Sequence, residues 1–147
     1  MLEKMITKAL YAHLGQVDKG GQPYILHPLK VMFLLDSIDE ELNCIAVGHD
    51  LFEDTNATET ELRQIGMSNR VIAGIEVMTK KKGQSYEEYK EAIKANRDAV
   101  KVKMCDLRHN SDISRLKDPY TRKNQDRIEK YREFYMELNA LRNENYF

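Results

Sequence analysis

Apolar residues recur at spacings of three and four along almost the whole chain, and no segment sustains for long the alternation that a half-buried strand needs. This periodicity constrains the fold to helices packed on helices. The seven glycines and three prolines are expected between the periodic stretches, and there is no repeat, low-complexity segment or proline-rich linker. A chain of 147 residues has the length of one domain. The expectation is therefore all-α: a single compact helical bundle over 1–147, of about seven to nine helices, with 142–147 as a frayed polar tail.

The first helix should carry Leu2, Ile6, Ala9, Leu10 and His13 on one stripe and stop before Gly20-Gly21-Gln22-Pro23. A second runs from about His27-Pro28 to Asp36. Asp39 is placed to cap a third, whose stripe reads Leu42, Ile45, Ala46, His49 and Phe52, so that the histidine points inward. Thr58-Glu59-Thr60-Glu61 and Ser85-Tyr86-Glu87-Glu88 have the capping-box pattern, and Gly66 followed by Ser68 marks one helix stopping as another starts. After Asn96 a helix should present Ala99, Val102, Asp106, His109, Ile113 and Leu116 on one face until Asp118-Pro119 ends it. The last helix, about Thr121 to Leu141, turns Ile128, Tyr131, Tyr135 and Leu138 to the core.

Composition narrows the function. Charged residues make up 32% of the chain, yet the formal net charge is only −1, so both signs are interspersed and no nucleic-acid partner is implied. Lys80-Lys81-Lys82-Gly83 lacks interleaved aromatics and reads as a solvated loop. No apolar run reaches membrane-spanning length, and Met1 to Ile6 does not open a signal peptide; no membrane partner is expected, and the expected location is cytoplasmic. Cys44 and Cys105 have no C-x-x-C partner, so they read as buried thiols and not as a zinc knuckle or disulfide.

The chemistry concentrates in Val47-Gly48-His49-Asp50-Leu51-Phe52-Glu53-Asp54. On a continuous helix Asp50, Glu53 and Asp54 share one face. Like charges at that spacing repel, and burying them costs several kcal/mol unless a cation compensates. A solvated acidic face beside a core histidine would account for the His-Asp pair alone. His27, just before Pro28, adds a second imidazole, and Asp106 adds a carboxylate from a distant helix. Two His and two Asp form a mixed nitrogen and oxygen set that suits Mn²⁺, Fe²⁺ or Zn²⁺ and leaves coordination positions open. His13 and His109, each on an apolar stripe, read as hydrogen-bonded core histidines.

These residues occur in a familiar order. His27-Pro28-Leu29, then His49-Asp50 with Glu53-Asp54-Thr55, then Lys103-Met104-Cys105-Asp106 with His109-Asn110, resemble the (p)ppGpp pyrophosphohydrolases of the HD superfamily, the hydrolase domain of RelA/SpoT proteins and small alarmone hydrolases. The resemblance runs from Ala12-His13-x-Gly15-Gln16 through Gly21-x-Pro23-Tyr24 and Met78-Thr79-Lys80 to Arg115-Leu116, most of the chain. It implies one divalent metal, Mn²⁺ first, on His27, His49, Asp50 and Asp106. It implies further that Glu53 and Asp54 activate or position the attacking water, and that Lys19 and Asn110 contact a small phosphorylated nucleotide, with Lys80 as a second candidate cation. The implied reaction converts (p)ppGpp to GDP or GTP plus pyrophosphate.

Three departures bear on the substrate. Asp18 precedes Lys19 where the family has arginine, Ile113 stands where a threonine is common, and Leu107-Arg108 exchanges a basic and an apolar position. All four implied ligands and both implied catalytic carboxylates are spared. The alternatives are an HD phosphohydrolase for another small phosphorylated metabolite, and a non-catalytic HD-fold domain for ligand sensing or partner binding. Glu53 and Asp54, which a sensor would not need, weigh against the second. No synthetase domain is expected in this length, and nothing in the sequence sets an oligomeric state.

Overall fold

Polar side chains fix most of the helix starts. In the computed structural model, which describes residues 1–144, the elements are α1 (Leu2–Ala12), α2 (Leu26–Leu35), α3 (Glu40–Gly48), α4 (Leu51–Asp54), α5 (Glu59–Gln64), α6 (Asn69–Met78), α7 (Tyr86–Lys94), α8 (Arg97–Asn110), a 3₁₀ turn (Ile113–Arg115) and α9 (Arg122–Asn143). Asp39, Thr58, Ser68, Ser85, Asn96 and Thr121 each accept a backbone N–H from the first turn of the helix they precede. At Thr58 the box is reciprocal, because the Glu61 carboxylate accepts the Thr58 N–H at 2.8 Å. No strand forms among the described residues; Val17 and Pro23 make one isolated bridge that closes the loop after α1.

Helix α3 lies at the centre and packs against α1, α2, α6 and α8, while α9 lies along α8. Ile45, Ala46 and Val47 of α3 are fully buried, as are Ile75 of α6 and Leu138 of α9, and Phe134 is nearly so. Glycine permits the close approach of α3 and α6. A Cβ on Gly74 would meet three Ile45 side-chain atoms at 2.6, 3.0 and 3.1 Å, and one on Gly48 would meet Ile75 Cδ1 at 2.8 Å. Gly74 therefore sits inside a helix and not between periodic stretches, whereas Gly48 and Pro28 fall within the helices that the stripe through His49 and the start at His27-Pro28 had indicated.

Other expectations also change. Leu10 is exposed, and Met5 takes its place in the α1 stripe. The helix through His49 breaks: α3 ends at Gly48 and α4 begins at Leu51. The His49 ring N–H takes the Ala46 carbonyl at 2.7 Å, the acceptor that a continuing helix would give to Asp50 N–H. Helix α8 stops at Asn110, eight residues before Asp118, because the Asp112 carboxylate turns back onto the Ser114 N–H at 3.0 Å and Arg115 Nη1 covers the His109 carbonyl at 2.9 Å. Ile113 is consequently exposed. At the far end Arg142 and Asn143 continue α9 and do not fray; residues 145–147 of the expected tail lie outside the described residues.

Two loops meet over the end of α8. Asp18 Oδ1 accepts the N–H groups of Gly20 and Gln22, each at 2.9 Å, and folds the loop back so closely that a Cβ on Gly20 would lie 2.1 Å from the Arg115 carbonyl oxygen. No helix is long and apolar enough to cross a membrane among the described residues.

Adding a methyl group at Gly74 forces Ile45 off its rotamer in a packed core, which costs about 1–3 kcal/mol. Gly74→Ala is expected to lower the denaturant midpoint despite alanine's better helix propensity, and the double variant with Ile45→Val to recover part of the loss by removing the 2.6 Å contact at Cδ1.

Candidate metal centre

Four donors reach one point from three separate segments. His27 projects from the first turn of α2, where Pro28 is harmless because its missing N–H has no helical partner to lose. His49 and Asp50 occupy the break between α3 and α4, and Asp106 comes from the third turn of α8. Asp106 Oδ1 lies 2.9 Å from His27 Nε2 and 3.3 Å from His49 Nε2, while Asp50 Oδ2 lies 3.1 Å from His49 Nε2 and 3.7 Å from His27 Nε2. His27, His49 and Asp106 are buried, and their facing atoms all lie within 4.8 Å of one another.

The donor set fits a cation on the tautomer of His49. Its Nδ1–H is committed to the Ala46 carbonyl, so in the neutral ring Nε2 carries a lone pair. That nitrogen is buried without a hydrogen-bond partner while facing carboxylate oxygens at 3.1 and 3.3 Å. An acceptor ringed by acceptors requires positive charge between them. Burial opposes a charged His49, but Asp50 and Asp106 outweigh it and raise its pKa well above the ordinary value. Burial likewise pushes Asp106 up, and Lys103 with the two histidines overrides it and holds the carboxyl well below the usual range. The same field that attracts a proton favours a divalent metal, so this buried His/Asp group could hold one.

Surrounding groups orient the donors. Lys103 Nζ donates to Asp106 Oδ2 at 2.8 Å, and Asn110 Nδ2 donates to Oδ1 at 3.0 Å. The Tyr24 hydroxyl donates to Asp50 Oδ2 at 2.5 Å and lies 3.3 Å from Asp54 Oδ2. Glu53 Oε1 accepts the Lys80 backbone N–H at 2.9 Å, and Gln16 Nε2 donates to the Asp54 carbonyl at 2.8 Å. Asp50, Glu53 and Asp54 bring oxygens within 4.8 Å of one another, so the break in the helix keeps them together. Burial, reinforced by Asp50, raises the pKa of Glu53 and Asp54, against the Lys80 N–H on the first and the Tyr24 hydroxyl on the second.

His27, Asp50 and Asp106 line a cavity of about 490 Å³, and His49 lies buried behind them. Lys19 and Asn110, both named from sequence, line it, and so do Lys103, Arg115, Arg127 and Tyr131. Lys80 does not line it: its side chain is exposed, and its contribution is the amide that holds Glu53. Burial and the nearby charges of Arg127 and Lys123 lower the pKa of Lys19, a sign of cations crowded on one wall. Asp18 faces Arg115 at 3.4 Å on the same wall. Sequence reasoning missed the roles of Tyr24, Lys103, Arg115 and Arg127. The only signals available were the placement of Lys103 one helical turn before Asp106 and of Tyr24 three residues before His27.

The remaining histidines are packed, as their stripes suggested. His13 is buried with Nδ1 at 2.9 Å from Gln16 Oε1 and its ring 5.0 Å from Tyr24. His109 is half-buried, and burial together with the Arg115 charge lowers its pKa to about 4.

Fold and site together define a helical domain built around a buried histidine and aspartate cluster. The chain shares the fold of a metazoan ortholog of SpoT described as hydrolysing ppGpp, with a TM-score of 0.78 and 21% identity over 93% of this chain and 84% of that one. In sequence it is 33% identical over 111 residues to the bifunctional (p)ppGpp synthase/hydrolase SpoT of Escherichia coli K12, and 31% identical over 122 residues to the GTP pyrophosphokinase rsh of Brucella melitensis. A GTP pyrophosphokinase of Myxococcus xanthus is 28% identical over 125 residues. These alignments cover 67–75% of the chain but only 16% of each relative's length. No family model matches the chain.

If His49 and Asp106 are ligands, His49→Ala and Asp106→Ala abolish tight Mn²⁺ binding in isothermal titration calorimetry, and unchanged stoichiometry in either variant removes it from the set. Tyr24→Phe deletes the hydroxyl that orients Asp50 and is expected to weaken binding about 10-fold or more.

Proposed function

We propose that this chain is a metal-dependent phosphohydrolase, a single HD-type domain that removes the 3′-pyrophosphate of (p)ppGpp to leave GDP or GTP. The observation that carries the proposal is a buried His27, His49 and Asp106 group of which His27 and Asp106 line an open, cation-walled cavity. The similarity to proteins named as ppGpp hydrolases supports it.

His27, His49, Asp50 and Asp106 would hold the metal, Mn²⁺ in this proposal, with Fe²⁺ or Zn²⁺ as its competitors for the same nitrogen and oxygen donors. When bound, such an ion supplies Lewis acidity toward a phosphoryl oxygen and lowers the pKa of water. The chain supplies the rest. Glu53, held by the Lys80 N–H, or Asp54, beside the Tyr24 hydroxyl, takes the proton of the attacking water. Water adds to the phosphorus next to the ribose, the bond from that phosphorus to the 3′ oxygen breaks, and the proton taken from the water passes on to that oxygen, so the nucleotide leaves with a free 3′ hydroxyl and pyrophosphate is released. Lys19, Lys103, Arg115 and Arg127 oppose the charge of the phosphate groups along the wall. Asn110, already oriented by Asp106, offers its remaining amide hydrogen-bonding capacity to the substrate.

One observation favours a second substrate. Asp18 occupies the place where the related hydrolases have an arginine, and its carboxylate is spent on the Gly20 and Gln22 N–H groups and on Arg115. This wall therefore presents no cation from that position, and a different small phosphorylated metabolite would use the same hydrolytic machinery.

Mn²⁺-loaded protein is expected to release pyrophosphate from ppGpp, and chelation with EDTA to stop the release. Replacing Glu53 and Asp54 together by alanine is expected to slow turnover about 10²–10⁴-fold, the usual contribution of acid–base catalysis. Release only from other members of a nucleotide panel would move the substrate and keep the chemistry, and silence with every substrate at full metal occupancy would favour a sensing domain.

A further inference from the structure

His109 stands outside the donor set, yet its Nδ1 lies 2.8 Å from Nδ1 of His27, with the two ring planes within 9° of parallel. Two imidazole nitrogens at that distance share one proton: two lone pairs would repel, and two N–H groups would collide. The other edge of His27 decides which ring donates. Its Nε2 faces Asp106 Oδ1 at 2.9 Å and Asp50 Oδ2 at 3.7 Å, the direction from which a cation would be held. A ligating nitrogen must be bare, and a neutral imidazole bare at Nε2 carries its hydrogen on Nδ1.

We infer that His109 is a positioning residue whose Nδ1 accepts the Nδ1–H of His27 and so fixes His27 in the tautomer that turns its Nε2 lone pair toward Asp50 and Asp106. The inference rests on the assignment of His27 as a metal ligand. Its structural logic lies in α8. Asp106 and His109 are one helical turn apart on that helix, and between them they hold both nitrogens of a ring delivered by α2. His49 meets the same requirement locally, by donating to the carbonyl of Ala46 three residues before it. His27 meets it with a side chain distant in sequence, so its orientation depends on the docking of α2 against α8. His109 is itself held in place, since its carbonyl accepts from Arg115 Nη1 at 2.9 Å.

The test uses the full chain with ¹⁵N-labelled histidine and Zn²⁺, a diamagnetic probe. Two-bond ¹H–¹⁵N correlation spectra are expected to place the His27 proton on Nδ1 and the His109 proton on Nε2; a proton on His109 Nδ1 with His27 bare at Nδ1 would overturn the inference. By calorimetry, His109→Phe is expected to weaken Zn²⁺ binding 10- to 100-fold, the usual cost of losing an outer hydrogen-bond partner. His109→Asn, which offers an amide oxygen near the lost nitrogen, is expected to recover most of that affinity. An undiminished affinity in His109→Phe, or an equal loss in Phe and Asn variants of unchanged circular dichroism, reduces His109 to packing and overturns its positioning role. The spectra of the parent chain decide the tautomers even where a variant fails to fold. A parent chain that binds no Zn²⁺, or a His27→Ala variant that binds it as tightly as the parent, overturns the metal-centre assignment itself.

Discussion

The arrangement turns on the carboxylate of Asp106. Its Oδ1 faces His27 at 2.9 Å, His49 at 3.3 Å and the Asn110 amide at 3.0 Å, and its Oδ2 takes the Lys103 ammonium at 2.8 Å. An ionised carboxylate out of water costs several kcal/mol unless it is surrounded in this way. To surround it, α2 must bring its first turn against α8, and α3 must end where His49 can reach inward. The packing of α2 and α3 on α8, which forms much of the core, is thus also the packing that assembles the site.

From that carboxylate the electrostatics divide the cavity. Its floor is acidic, with Asp50, Glu53 and Asp54 drawn together and Asp106 beside the two histidines, and one wall is cationic, with Lys19, Arg115 and Arg127. Such a separation suits a ligand that is both an anion and a partner for a bound cation, the description of a polyphosphate. Asp18 modifies one part of the wall: it pairs with Arg115 and pins the loop after α1 to the turn after α8, so the rim is held by a short polar clasp. In the proposed function, substrate choice falls to this rim and the hydrolytic chemistry to the floor.

Much of this was legible in the residues. Capping side chains at Asp39, Thr58, Ser68, Ser85, Asn96 and Thr121 mark helix starts because their hydrogen bonds are local and need no tertiary partner. His49 and Asp106 stand out because each interrupts an apolar stripe. The failures at the helix ends have a common cause, a competing bond made by a side chain. The His49 ring takes the acceptor that would have continued α3, and Asp112 and Arg115 end α8 eight residues before Asp118. Gly74 reads as a loop residue until the close approach of α3 and α6 gives it a packing reason. Lys80 looked like a cavity cation, but only its amide turns toward the acidic cluster.

By itself the sequence determined the helical class, six of the helix starts and the inward turn of His13, His49 and Asp106, though not of the buried Lys90, because periodicity and capping act over a few residues at a time. Only the tertiary structure decided that His27, His49, Asp50 and Asp106 meet at one point, that Tyr24 and Lys103 hold two of them in place, and that Arg115 and Arg127 face the same cavity. The physical reason is distance along the chain. Asp106 is 79 residues from His27, and two groups so far apart are brought to 2.9 Å only by the shared burial of the helices that carry them.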